Sequence, residues 1–182
     1  MKAIISVFIF SLCFSAVSAR DESLSEAVRL YKQGSFAEAI PLFEKNSDLK
    51  GQSRINRIRL AECYLYRDDL VLPEKKDSIF RREELLQRIK DNYALAAFIF
   101  SSEITEIEKI TPNEKLLGLW YYEWGLSEMM IQKREKAVGL FLKSAQIDPS
   151  ISESTYYAAF LSLQLGREKD ADRIWNRERK KK

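Results

Sequence analysis

Carboxylates, a cysteine and a run of aromatic rings are the side chains in this sequence that could do chemistry. The carboxylates gather at Asp68-Asp69, at Glu83-Glu84, and at Glu103, Glu106 and Glu108. Two of them facing one cleft would suit glycoside hydrolysis, one as general acid and the other as base or nucleophile. Glu103 and Glu106 stand three apart beside Ile104 and Ile107, which is how a solvated helix face looks. A glycosidase is therefore the last of the alternatives kept open. Cys63 lies in the apolar stretch Ala61-Glu62-Cys63-Tyr64-Leu65 and reads as a buried small hydrophobe rather than a reactive thiol. The rings are Trp120-Tyr121-Tyr122-Trp124 and Tyr156-Tyr157. Four of them within five residues of one helix point in several directions, so most should be core; those on one face would suit an apolar peptide, a lipid-like molecule or a flat ligand.

What is missing narrows the field further. Histidine is absent, which removes His-based triads, His metal ligands and the commonest general base. The sequence has no Gly-rich phosphate loop, no Ser nucleophile in a Gly-flanked elbow and no cysteine pair with metal spacing. The expectation is a protein without metal, cofactor or catalysis. A formal charge of +3 is far from the dense basic surface of a dedicated nucleic-acid binder. The last residues, Arg173, Arg177, Arg179 and Lys180-Lys181-Lys182, suit a helix C-terminus electrostatically. They also offer weak attraction to an anionic lipid or cell-wall surface.

The N-terminus predicts export. Met1-Lys2 precedes a nearly uninterrupted apolar run from Ala3 to Val17, closed by the small residues Ser18-Ala19 and the charged Arg20-Asp21-Glu22. That is the composition of a secretory signal peptide over residues 1–19. The run is shorter than the ~20 apolar residues a spanning helix needs, so an uncleaved N-terminal anchor is the alternative. Phe10-Ser11-Leu12 before Cys13 lacks the small residue of a lipidation site. Cleavage leaves Cys63 alone, so the exported domain, residues 20–182, is held by packing without an internal disulfide.

The elements that position these side chains repeat. Laying Ser152–Lys182 beneath Gly118–Ile151, 34 residues earlier, puts Gly125 over Ala159, Ala137 over Ala171 and Phe141 over Trp175. Two short helices approach closely only where small side chains meet, with large ones filling the next layer. Trp124, Leu140 and Phe141 are the large ones, and Pro149 ends the second helix. Toward the N-terminus Ala27, Tyr31, Gly34-Ser35-Phe36, Ala39 and Phe43 show the same order, with Pro41 expected near the start of its helix. Between them, Ile58, Ala61 and Leu65 keep helical spacing, and a polar loop runs from Arg67 to Asp77. A helix through Glu83, Leu86 and Ile89, capped by Asp77 or Ser78, is followed by Tyr93–Ile110, apolar nearly all round in its first half and so expected to be a buried central helix.

Tyr121-x-x-Trp124-Gly125, Ala137-x-x-x-Phe141 and Pro149 resemble the tetratricopeptide-repeat pattern, as does Gly34-Ser35-Phe36-Ala37-Glu38-Ala39. Glu128, Arg134 and Ser162 depart from it where aromatic residues are usual, while Gly166, Ala171 and Trp175 keep it. The resemblance implies an all-α solenoid of antiparallel helical hairpins. Its units fall at about 20–53, 54–87, 88–117, 118–151 and 152–182, the second and third degenerate. It also implies a concave face lined by the first helix of each unit, here Leu119, Tyr122, Leu126, Met129, Tyr156, Phe160 and Leu163. Such proteins hold a partner there, so a non-catalytic scaffold for a protein or extended segment of the bacterial cell envelope is expected. The carboxylate clamp of some members is not carried over, since Tyr122, Leu126 and Glu153 occupy its places. The alternatives are a small-ligand-binding helper, for instance of a solute transporter, and a strip covered by a neighbouring helix or second subunit.

Overall fold

The computed structural model describes residues 22–47, 53–67, 69–70, 79–112 and 114–179. The expected signal peptide, most of the polar loop before Ser78 and the Lys180-Lys181-Lys182 end lie outside them. Every regular element among the described residues is an α-helix, the all-α class that the sequence predicts. The chain divides into two compact units, Met1–Asp69 and Leu70–Lys182.

The first unit holds α1, over residues 22–33, α2 (Phe36–Ser47) and α3 (Arg54–Tyr66). Ala27, Ala39 and Phe43 are buried where these helices meet, and Phe36 wedges between Tyr31 and Tyr66 at ring distances of 6.0 and 6.1 Å. Ser53 caps α3 by accepting from the Asn56 amide, which satisfies one of the orphan donors of the first turn. Pro41 sits deeper than expected, in the second turn of α2. There it removes a ladder bond, but on an exposed face where water can replace it.

The second unit runs α4 (Ile79–Ile110), α5 (Lys115–Met130), α6 (Arg134–Ile147), α7 (Ser152–Gln164) and α8 (Glu168–Arg179), each packed on the next. The helices of α5 and α6 are antiparallel. Gly118 near the start of α5 meets Asp148 just past α6, while Gly125 at mid-helix meets Phe141. Three turns close alike. After α1, α5 and α7 the chain makes a six-to-one bond (Ser35 to Leu30, Lys133 to Glu128, Arg167 to Ser162), with the preceding residue bonded three back. That residue must be left-handed. Gly34 (φ 79°) and Gly166 (φ 72°) supply it freely, whereas after α5 the position is Gln132 at φ 64°.

Two expectations are corrected here. Residues 79–110 form one continuous helix of 32 residues, so the unit boundary expected at 87/88 falls inside α4. The segment contains no Gly or Pro to interrupt the ladder, and only Thr111-Pro112 stops it. Nor is its apolar half buried all round. Ala96, Ala97, Phe100, Glu103 and Ile104 are buried on one stripe, while Phe98 is 71% exposed and Leu95 44%. Helical spacing puts Ala96, Phe100 and Glu103 on one face and Leu95 and Phe98 on another.

Candidate binding surface

The α5–α6–α7 layer sets the geometry of everything predicted to bind. Gly125 lets the two backbones close on the fully buried ring of Phe141. Phe141 in turn stacks on Tyr157 of α7 at 5.3 Å and meets Tyr122 of α5 at 5.8 Å. At the other end of the hairpin, Ser144 donates to the Gly118 carbonyl and shares a 2.7 Å hydrogen bond with Ser154 of α7. Small residues thus hold three helices close, and Ala137 and Ala158 are fully buried between them.

On this frame the seven residues expected to line a partner face divide. Tyr122, Leu126 and Met129 are half-buried against the cluster of Ala137, Val138, Phe141, Ala158 and Leu161. Leu119 (39% exposed), Tyr156 (51%), Phe160 (41%) and Leu163 (54%) point outward. The two groups are continuous. Leu119 stands one helical turn before Tyr122, the Tyr122 ring meets Tyr157, Tyr157 meets Tyr156 edge-on at 5.4 Å, and Tyr156 lies parallel to Phe160 at 6.1 Å. Burial pushes the Tyr122 hydroxyl up to about 12, with smaller contributions from Tyr157, Glu153 and Glu123.

Of the packing residues, Trp124, Ala159 and Ala171 are buried and Pro149 is exposed after α6. Trp175 is corrected: it occupies the repeat position of Phe141 but is 44% exposed. Phe141 is enclosed because α5 lies on one side and α7 on the other. Among the described residues no further helix follows α8 to enclose Trp175.

Among the acidic residues, Glu103 and Glu108 depart from the expected solvated face, while Glu106 keeps to it. Glu103 is buried, and Glu106 pairs with Lys109 at 2.5 Å. Glu108 accepts from Lys143 and from the Tyr121 hydroxyl, both at 2.8 Å. The Lys143 ammonium beside it holds the Glu108 carboxyl below the usual carboxylate range. Glu128, the departure from the repeat pattern, has an almost completely buried carboxylate. It accepts from the Trp124 indole at 2.9 Å and pairs with Lys136 at 2.6 Å, whose ammonium also lies 4.8 Å above the Trp124 ring. Helical periodicity carries no sign of these cross-helix pairs, since the partners are matched by charge across a turn rather than by apolar spacing. Cys63 is buried as expected, and burial pushes its thiol up to about 12. Among the described residues no group of three acidic or cysteine ligands could hold a metal, and no helix is long and apolar enough to cross a membrane.

A groove of about 730 Å³ opens on another part of the same unit, lined by Val138, Leu142, Pro149, Ile174, Arg167 and Asp170 among others. Arg167 is paired there with Glu135 at 2.6 Å, and Arg173 with Asp170 at 3.5 Å.

These elements define a helical-hairpin protein whose second unit buries small residues between helices and presents an apolar, aromatic strip on α5 and α7. Among solved structures, the chain is similar to MamA from Desulfovibrio magneticus RS-1 (17% identity, 88% of this chain and 93% of that one, TM-score 0.42). A MamA double mutant (16%, 88% and 93%, TM-score 0.43) and a further MamA structure (13%, 89% and 95%, TM-score 0.40) are similar in the same way. No family model matches the chain, and no curated protein matches it. At such identities and superposition scores, the likeness carries no weight for family or partner.

Proposed function

We propose that the chain is a non-catalytic scaffold, exported by its N-terminal signal into the bacterial periplasm, whose α5/α7 strip holds a protein segment of the cell envelope. The observation that carries this reading is the outward set Leu119, Tyr156, Phe160 and Leu163, joined through touching rings to the buried core. Water gains nothing from such a surface, and covering apolar area is favourable by about 25 cal/mol per Å². The carboxylates argue against hydrolysis, because Glu103 is buried and Glu108 is held by Lys143 and Tyr121. The basic C-terminal residues would add weak attraction to an anionic surface, about 1 kcal/mol per charge.

The test is affinity capture from native envelope with the wild-type chain and with Tyr156→Ala/Phe160→Ala. Loss of the captured protein in the variant, with helical circular dichroism unchanged, supports the strip. Equal capture overturns it. The small-ligand reading draws on the 730 Å³ groove instead. A small molecule retained in native mass spectrometry, and lost on Leu142→Trp, would favour it.

A further inference from the structure

The charges around the aromatic strip are not balanced, and their sign specifies what kind of segment would fit. Helix α7 carries no Lys or Arg, and its one ionised side chain is Glu153, exposed and bonded to the neighbouring Ser152 hydroxyl at 3.3 Å. Glu153, Tyr156, Phe160 and Leu163 follow one another at intervals of three, four and three residues, which places them on one stripe of the helix. The facing helix, α5, has a single cation, Lys115, and it reaches toward Asp148 at 3.6 Å. On α6, Lys136 and Lys143 are drawn to Glu128 and Glu108, each at 2.6 Å. Among the described residues of α5 and α7 themselves, the strip is thus edged by a carboxylate, and their one cation, Lys115, is drawn away to Asp148. Tyr156 and Phe160 lie parallel, 6° apart, and expose 51% and 41% of their surface. The faces of such rings are the negative lobes of their quadrupoles and attract a cation, an Arg guanidinium above all because it also stacks.

We infer that the segment received by this face is basic and apolar: aliphatic side chains on Leu119 and Leu163, and an Arg or Lys head lying over Tyr156 and Phe160 beside Glu153. This deepens the docking reading proposed above and rests on it. Glu153 is close enough to Tyr122 to add, after burial and Tyr157, to the rise of its hydroxyl. An acidic segment would meet Glu153 with no cation on α7 to offset it, and a neutral one would leave the ring faces without their best partner.

The experiment is selection of random twelve-residue peptides displayed on phage against protein purified as its host produces it from the full 182-residue chain. The enriched peptides are then synthesised and titrated against wild type, Glu153→Gln and Tyr156→Ala/Phe160→Ala. The expected peptides combine aliphatic residues with Arg or Lys, bind more weakly as salt rises, and lose about three- to tenfold in affinity with Glu153→Gln. They lose binding altogether with the double alanine variant. Neutral or acidic peptides that still need Tyr156 and Phe160 would overturn the basic-segment inference while leaving the strip as a docking face. The same holds for basic peptides indifferent to Glu153→Gln. No enrichment, or peptides that bind the double alanine variant equally well, would overturn both.

Discussion

Gly125→Ala tests the packing on which the second unit is built, because two opposing terms can be weighed from the structure. In an exposed helix interior the substitution gains about 1 kcal/mol of helix propensity. Here a Cβ at position 125 would lie 2.7 Å from Phe141 Cε1, 2.8 Å from Cδ1 and 3.1 Å from Cζ. Real carbon contacts sit near 3.5–4.0 Å, so the ring would have to retreat by nearly an ångström. It has nowhere to go, since Phe141 is fully buried and boxed by Tyr157 at 5.3 Å and Tyr122 at 5.8 Å. The confinement of the ring puts the overpacking cost in the upper part of the usual range, about 2–3 kcal/mol, which outweighs the propensity gain and leaves a net loss of about 1–2 kcal/mol. Trp120, Trp124 and Trp175 all belong to this unit, so urea unfolding followed by tryptophan fluorescence reports on it directly. Phe141→Leu shortens the obstructing side chain, and the alanine should then be tolerated, giving a coupling of about 1 kcal/mol or more in the double-mutant cycle. A Gly125→Ala protein as stable as wild type, or a cycle without coupling, would refute the reasoning.

Gln132→Gly should stabilise the same unit by about 0.5–1 kcal/mol, since the left-handed conformation at φ 64° is costly with a side chain; a lower urea midpoint would contradict this. Glu108 supplies a pH dependence. Its folded pKa is depressed by Lys143, so its contribution is present above the unfolded carboxylate range, about 4.3, and is lost as pH falls through the folded value. Lys143→Met should therefore flatten the fall of the thermal midpoint on acidification, and an unchanged slope would mean the pair contributes nothing. The Cys63 thiol, buried and pushed up to about 12, should be inert to a thiol reagent at pH 8 and react fully once urea unfolds its helix. Prompt reaction in the native state would show that the first unit opens.

Much of the architecture was legible because it depends on side-chain size and on backbone conformation, which sequence displays openly. Gly125, Ala137, Ala159 and Ala171 are small where helices approach, and Gly34 and Gly166 close turns in the left-handed region. The third such turn was hidden because Gln132 stands 34 residues before Gly166 and tolerates the strain without announcing it. Buried carboxylates were illegible for a related reason. Glu128 reads as a defect in the repeat until Trp124 and Lys136 are seen to satisfy it. Glu108 likewise reads as one charge of a solvated cluster until its partners Lys143 and Tyr121, on α6 and α5, are known. Continuity of α4 is the converse case: its two apolar patterns read as two helices, yet no Gly or Pro separates them.

The division within α7 gives the remaining prediction. Its buried positions are Leu161 and the small Ser154, Thr155, Ala158, Ala159 and Ser162; α6 presses close on them, as the 2.7 Å contact of Ser144 with Ser154 shows. Its outward positions Tyr156, Phe160 and Leu163 are large, which reverses the usual amphipathic arrangement. Close packing explains the small residues inside. Nothing in the packing of the described residues requires the outer ones to be apolar, and polar side chains there would serve the helix equally well. Tyr156→Gln/Phe160→Gln should accordingly lower the unfolding free energy by less than about 1.5 kcal/mol, measured by the same fluorescence titration. The ring contact of Tyr156 with Tyr157 at 5.4 Å sets the upper end of any loss, since an aromatic pair contributes about 0.5–1.5 kcal/mol. A loss well beyond that would mean the strip is part of what holds the hairpins together, and a face needed for folding is not one left over for a partner.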